Sequence, residues 1–74
     1  MTFISRRTQM KRNKPSCKLI GENGNIYNLM SIAMKTLREN GQSEQADEMF
    51  ERITKTAESY EQALGIIMEY VEVY

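Results

Sequence analysis

The chain has 74 residues, with ten Lys and Arg balanced by ten Asp and Glu, one cysteine and no histidine. A chain of this length makes one small domain near the lower limit for independent folding, and a single thiol without imidazole rules out disulfides and a conventional zinc site as staples. Without histidine the commonest general acid–base group and the usual activator of a nucleophilic cysteine are both missing. An enzyme is therefore not expected, and no residue is a candidate for catalysis, cofactor binding or metal ligation.

The balanced charge joins two unlike parts. Arg6, Arg7, Lys11, Arg12, Lys14 and Lys18 stand in the first 18 residues with no acid among them, whereas four basic and ten acidic side chains follow. Residues 5–16 have no helical or alternating apolar pattern and too little apolar surface to offset the entropy of ordering, which predicts a disordered basic arm over 1–16. Pro15, which lacks an amide proton and restricts Lys14 before it, marks the edge of that arm. The six cations are the candidate polyanion-binding residues, and nucleic acid is a candidate partner through residues 6–18, gripped by its phosphates without regard to sequence. No aromatic side chain lies between Phe3 and Tyr27 for a base to stack on.

Residues 17–74 read as the folded domain. Cys17-Lys18-Leu19-Ile20 alternates weakly and predicts a short strand over 17–20, with Leu19 and Ile20 in the core. Gly21-Glu22-Asn23-Gly24-Asn25 predicts a turn over 21–25, in which Asn23-Gly24 is the pair suited to positive φ and Asn25 the cap of the following helix. Ile26, Leu29, Met30, Ala33, Met34 and Leu37 recur at the spacing of one helical face and predict a helix over about 26–39. Gly41 follows as a left-handed C-terminal cap.

A second helix is predicted over about 44–55, with Ala46, Met49, Phe50 and Ile53 on its apolar face and Glu44, Asp47 and Glu48 near its positive end. Glu44, Glu48 and Glu51 share its solvated face. Ser59 with Gln62 three residues on is a capping-box signature opening a third helix over about 60–72. Its stripe is broad: Tyr60, Ala63, Leu64, Ile67, Tyr70, Val71 and Tyr74, widened by Ile66 and Met68. Gly65 inside that helix suggests a close backbone approach. Tyr70-Val71-Glu72-Val73-Tyr74 also alternates, so the chain has the option of leaving the helix as a strand that pairs with Leu19-Ile20.

Gly41, Ala46, Phe50 and Ile53 carry the spacing of a tetratricopeptide-type hairpin, but Met34 stands where the first helix of such a repeat needs a small residue. The pattern supports an antiparallel pairing of helices one and two through a short loop. The predicted fold is thus mainly α: three short helices around one small core, preceded by a short strand and the basic arm.

Cys17-Lys18-Leu19-Ile20-Gly21, Gly24-Asn25-Ile26-Tyr27, Gly41-Gln42, Ala46-Asp47-Glu48-Met49, Tyr60 and Tyr70-Val71-Glu72 resemble a group of small uncharacterised proteins from Gram-positive bacteria and their mobile elements. The resemblance spans residues 17–74. It implies a bacterial, cytosolic accessory protein and carries over no site residues.

The functional expectation is a non-enzymatic interaction and regulatory module that presents a helical surface to a larger protein. Its basis is the apolar excess of the third helix. Ile66, Met68, Tyr70 and Tyr74 are the candidate partner surface, since so many large side chains exceed what one small core can take up. A homodimer would bury such a surface equally well, and a core this small gains from burial between subunits. The alternative is a nucleic-acid accessory protein acting through its arm. No run of 18 apolar residues exists to span a membrane, and Met1–Ser5 is too short for a signal-peptide core, so the chain reads as cytoplasmic with no membrane partner.

Overall fold

The computed structural model describes residues 14–74, and its three helices and short strands agree with the mainly α class read from the sequence. The element order is β1 (Ser16–Cys17), α1 (Ile26–Glu39), α2 (Ser43–Thr56), α3 (Tyr60–Tyr70) and β2 (Glu72–Val73). Residues 1–13, with the disorder predicted for them, lie outside the described residues.

Local chemistry sets the helix ends. Asn25 caps α1 by accepting the Tyr27 amide at 2.8 Å through Oδ1. At the other end Gly41 adopts φ +76°, with Gln42 N–H donating to Leu37 O at 2.8 Å and Gly41 N–H to Arg38 O at 3.1 Å. Those two bonds form a Schellman closure, in which only glycine adopts the left-handed conformation cheaply. Ser59 Oγ accepts the Gln62 amide at 3.1 Å, while Gln62 Oε1 accepts from the Glu58 amide at 2.7 Å. The capping box therefore closes one residue further back than its standard form. In the turn before α1 the left-handed residue is Gly21, at φ +93°; no non-glycine residue has positive φ among the described residues. The predicted Asn23-Gly24 pair has another role, with Asn23 Oδ1 accepting the Asn25 amide at 2.9 Å.

Helices α1 and α2 form the expected antiparallel hairpin, and α3 packs against both. Leu37, Ala33, Met49, Ala46 and Ile67 are fully enclosed at their junction. The hairpin is tied near its turn by Arg38 to Asp47 at 3.1 Å.

The chain leaves the helix at Tyr70 instead of continuing to residue 72. Val71 has φ −137° and ψ 155°, and its N–H to Ile67 O makes the last helical bond. β2 then runs parallel to β1, with Ser16 opposite Glu72 and Cys17 opposite Val73. The strand alternative therefore prevails, but its partner is Ser16–Cys17, three residues ahead of Leu19-Ile20. Glu72 N–H donates to Pro15 O at 2.8 Å and Tyr74 N–H to Cys17 O at 3.0 Å. Pro15 and Ser16 consequently belong to the folded body, and the predicted arm of 1–16 is too long by those residues. Beyond β1, the amides of Leu19 and Ile20 both donate to Tyr74 O, at 2.8 and 2.9 Å.

This crossing of the chain ends decides the core. Cys17 and Val71 are each 1% exposed, whereas Ile20, assigned to the core from sequence, is 70% exposed. Phe50 is likewise exposed, because Ala46, Met49 and Ile53 already fill the inward face of α2. Beyond the backbone of its own helix turn and its chain neighbours, nothing among the described residues lies within 4 Å of where a Gly65 Cβ would stand, so the predicted close approach is absent.

Candidate interaction surfaces

The sequence-derived partner surface separates into parts. Ile66 is buried together with Ala63 and Ile67, because α3 lies across two helices and needs an apolar face wide enough for both. Its assignment to a partner surface is corrected. Met68 remains half exposed on the outer side of α3. Tyr70 is half-buried and turned toward α2, and Tyr74 is exposed beside Ile20. The single outward stripe predicted for the third helix is not present.

Tyr70 belongs to a polar cluster that locks α2 to the end of α3. Arg52 donates to both Glu69 carboxylate oxygens, at 2.6 and 3.4 Å, and to the Tyr70 hydroxyl at 3.2 Å. Its guanidinium carbon also stands 5.7 Å from the Tyr70 ring centre, a cation–π distance. The hydrogen bond from Arg52 lowers the Glu69 pKa below the usual carboxylate value, and burial raises that of Tyr70 against the opposing hydrogen bond from Arg52. The hydrogen bond from the Glu72 amide to Pro15 O at 2.8 Å brings the start of the described chain to the end of α3, and Lys14 adds a smaller attraction to Glu69. The geometry is that of a structural clamp: every cluster member already faces another member.

The outer face of the β1–β2 pair is different in kind. Side chains alternate along the strands, so Cys17, Leu19 and Val71 turn inward while Lys18, Ile20, Glu72 and Tyr74 turn out. Ile20 and Tyr74 are 70% and 57% exposed, on residues joined by a 2.9 Å backbone hydrogen bond. The Lys18 ammonium folds back onto Ile20 O at 3.0 Å, and Tyr74 lines a shallow depression with Lys18, Glu22, Lys35 and Glu39. Sequence reasoning found Tyr74 but assigned Ile20 inward; an alternating run of four residues does not say which of its faces the rest of the chain will cover.

Of the candidate polyanion-binding cations, Arg6, Arg7, Lys11 and Arg12 lie outside the described residues. Lys18 donates to Ile20 O, and neither Lys14 nor Lys18 forms an ion pair among the described residues. The remaining basic residues of the body all form ion pairs: Lys35 with Glu39, Arg38 with Asp47, Arg52 with Glu69 and Lys55 with Glu51. Glu22, Glu44, Glu48, Glu58, Glu61 and Glu72 have no cationic partner within ion-pair distance among the described residues, so the body presents mainly negative charge. Comparison with family models, curated proteins and solved structures finds no match to this chain.

Cys17 is buried with the Thr36 hydroxyl donating toward its sulfur at 3.5 Å. Among the described residues no group of three or more Cys, Asp or Glu is arranged to hold a metal ion, and no helix is long and apolar enough to cross a membrane.

Proposed function

We propose that this chain is a small non-enzymatic interaction module, an accessory protein of a bacterial mobile element that works in the cytoplasm by docking on a larger protein. The observation that carries this reading is the Ile20/Tyr74 patch. Two large apolar side chains stand outward on backbone that four hydrogen bonds between the chain ends hold rigid, so docking costs little conformational entropy. Aromatic and aliphatic anchors on rigid backbone are typical of the residues that dominate binding energy at protein interfaces. A homodimer through the same patch is the self-associating form of this reading. The mobile-element setting and the cytoplasmic location rest on the sequence resemblance over residues 17–74.

The test is site-specific photocrosslinking in a Gram-positive host. A photoreactive phenylalanine analogue is placed at Tyr74 and, as control, at the exposed Glu51. A discrete adduct from position 74 that Ile20→Asp abolishes and position 51 never gives supports the reading. Equal labelling from both positions, or none from 74, refutes it.

The ion pairing of the body favours one second reading. With Lys35, Arg38, Arg52 and Lys55 engaged, the cations left for a polyanion lie in residues 6–18, as a nucleic-acid accessory protein would require. Anisotropy of labelled duplex DNA at two salt concentrations tests it. Binding that weakens steeply with salt and is lost when Arg6, Arg7, Lys11 and Arg12 become glutamine supports phosphate contact, and a flat salt response excludes it.

A further inference from the structure

The β1–β2 pair has one edge without a neighbour among the described residues. In its parallel register Ser16 stands opposite Glu72 and Cys17 opposite Val73, and β2 donates to β1 through the Glu72 and Tyr74 amides. The N–H and C=O of Val73 fall between those two bonds and point to the other side of the strand. No described residue bonds to either group. β1 has α1 packed beside it, whereas β2 touches only β1 and α3. An edge of this kind is a template for a further strand, and β2 carries neither the proline nor the lysine that commonly blunts one.

The edge is complementary to a second copy of itself. Across a two-fold axis the two β2 strands run antiparallel, and two registers bring the Val73 groups into use. An axis through Glu72 sets two carboxylates directly opposite each other, a destabilising pair. It also needs the Val71 N–H, which is already donated to Ile67 O at 3.1 Å. An axis through Val73 has neither fault. The two Val73 residues exchange both N–H···O bonds, and Glu72 stands opposite Tyr74 of the second copy. The two Tyr74 side chains become diagonal neighbours about 7–8 Å apart, within aromatic reach. With Ile20 beside each of them, the residues that are 70% and 57% exposed in one chain form a single apolar stripe across four strands.

We propose that a second copy of this chain pairs antiparallel along β2, with Val73 on the two-fold axis, to give a sheet of order β1-β2-β2-β1. This rests on the self-associating form of the reading above and names its edge and register.

The test starts from sedimentation equilibrium on the full chain, where the mass is expected to rise with concentration toward twice that of one chain. Val73→Pro removes the outward N–H and none of the bonds to β1, a position where an edge strand tolerates proline. It is expected to weaken the dimer at least about tenfold, because symmetry removes both exchanged bonds, with the circular dichroism of the helices unchanged. Tyr74→Glu sets a carboxylate against Glu72 of the second copy and is expected to weaken the dimer, and Tyr74→Glu/Glu72→Lys is expected to restore it. Nuclear magnetic resonance on a mixture of two isotope-labelled forms gives the register directly. The Glu72 and Tyr74 α protons are expected to make contact between chains, since this pair brings its Cα atoms to about 4.5 Å, against about 6–7 Å within one strand. A monomer at every concentration would overturn the proposal, as would a dimer without that contact or one that Val73→Pro leaves as tight as the parent. A monomeric chain that still gives a discrete adduct from position 74 with a larger protein would sink the dimer and keep the docking reading, so the two failures are told apart.

Discussion

Val71→Ala and Ile20→Ala together probe the crossing of the chain ends. Val71 is 1% exposed and Ile20 is 70% exposed. Removing two buried carbons from Val71 forfeits about 1.6 kcal/mol at ~0.8 kcal/mol per group. The cavity left behind adds up to about 1 kcal/mol where neighbours do not collapse into it. The expected loss is therefore about 2–3 kcal/mol, a large share of the roughly 3–9 kcal/mol that some 60 ordered residues provide. Ile20→Ala removes more carbon from a site that folding leaves wet, and is expected to change stability by no more than about 0.5 kcal/mol. Urea unfolding followed by far-ultraviolet circular dichroism measures both. With a slope near 1 kcal/mol per molar, at the low end for small domains, the Val71→Ala midpoint falls by roughly 2–3 M while that of Ile20→Ala stays within about 0.5 M. The reverse order, with Ile20→Ala the more damaging, would refute the register of the two strands and restore Ile20 to the core.

Other outcomes follow from single sites. Gly41→Ala forces a side chain into φ +76° and is expected to lower stability by about 1 kcal/mol, whereas Gly65→Ala, in a helix with open space around it, is expected to raise it by about 0.5–1 kcal/mol; thermal melts shifted in the same direction by both would contradict this. Arg52→Gln removes the partner that lowers the Glu69 pKa. A carboxyl lowered in the folded state contributes stability above its ordinary value of 4.5, and that contribution is lost as pH falls through the folded value. The parent chain should accordingly exceed Arg52→Gln in stability near neutrality, and the gap should close in more acidic solution and shrink with salt; a gap constant with pH would show that packing against Tyr70 is responsible. Cys17, enclosed under β2, should react with a thiol reagent only as fast as the fold opens, so labelling much faster than amide exchange of Val71 would place the sulfur nearer the surface than its 1% exposure.

Tyr74 was recognised as outward-facing because it ends an apolar stripe already wider than one core requires. Its companion Ile20 was not, since nothing within four residues tells which face of an alternating strand will be covered.

The helices and their ends were determined by the sequence itself. Asn25, Gly41 and Ser59 act on amides and carbonyls within five residues, and apolar spacing at three and four residues defines a helical face wherever the helix later sits. Tertiary structure alone decided the path after Tyr70 and the burial that followed from it. Val71-Glu72-Val73 satisfies a helix pattern and a strand pattern at once, and the choice is made by the Pro15 and Cys17 carbonyls, which accept from Glu72 and Tyr74 across almost the whole length of the folded chain. Once that pairing forms, Cys17 and Val71 close the core that Ile20 was expected to complete, and α3, lying across two helices, takes Ile66 inward as well. Local encoding survives any change of neighbours; an ambiguous segment takes its conformation from the neighbour that supplies the missing hydrogen bonds.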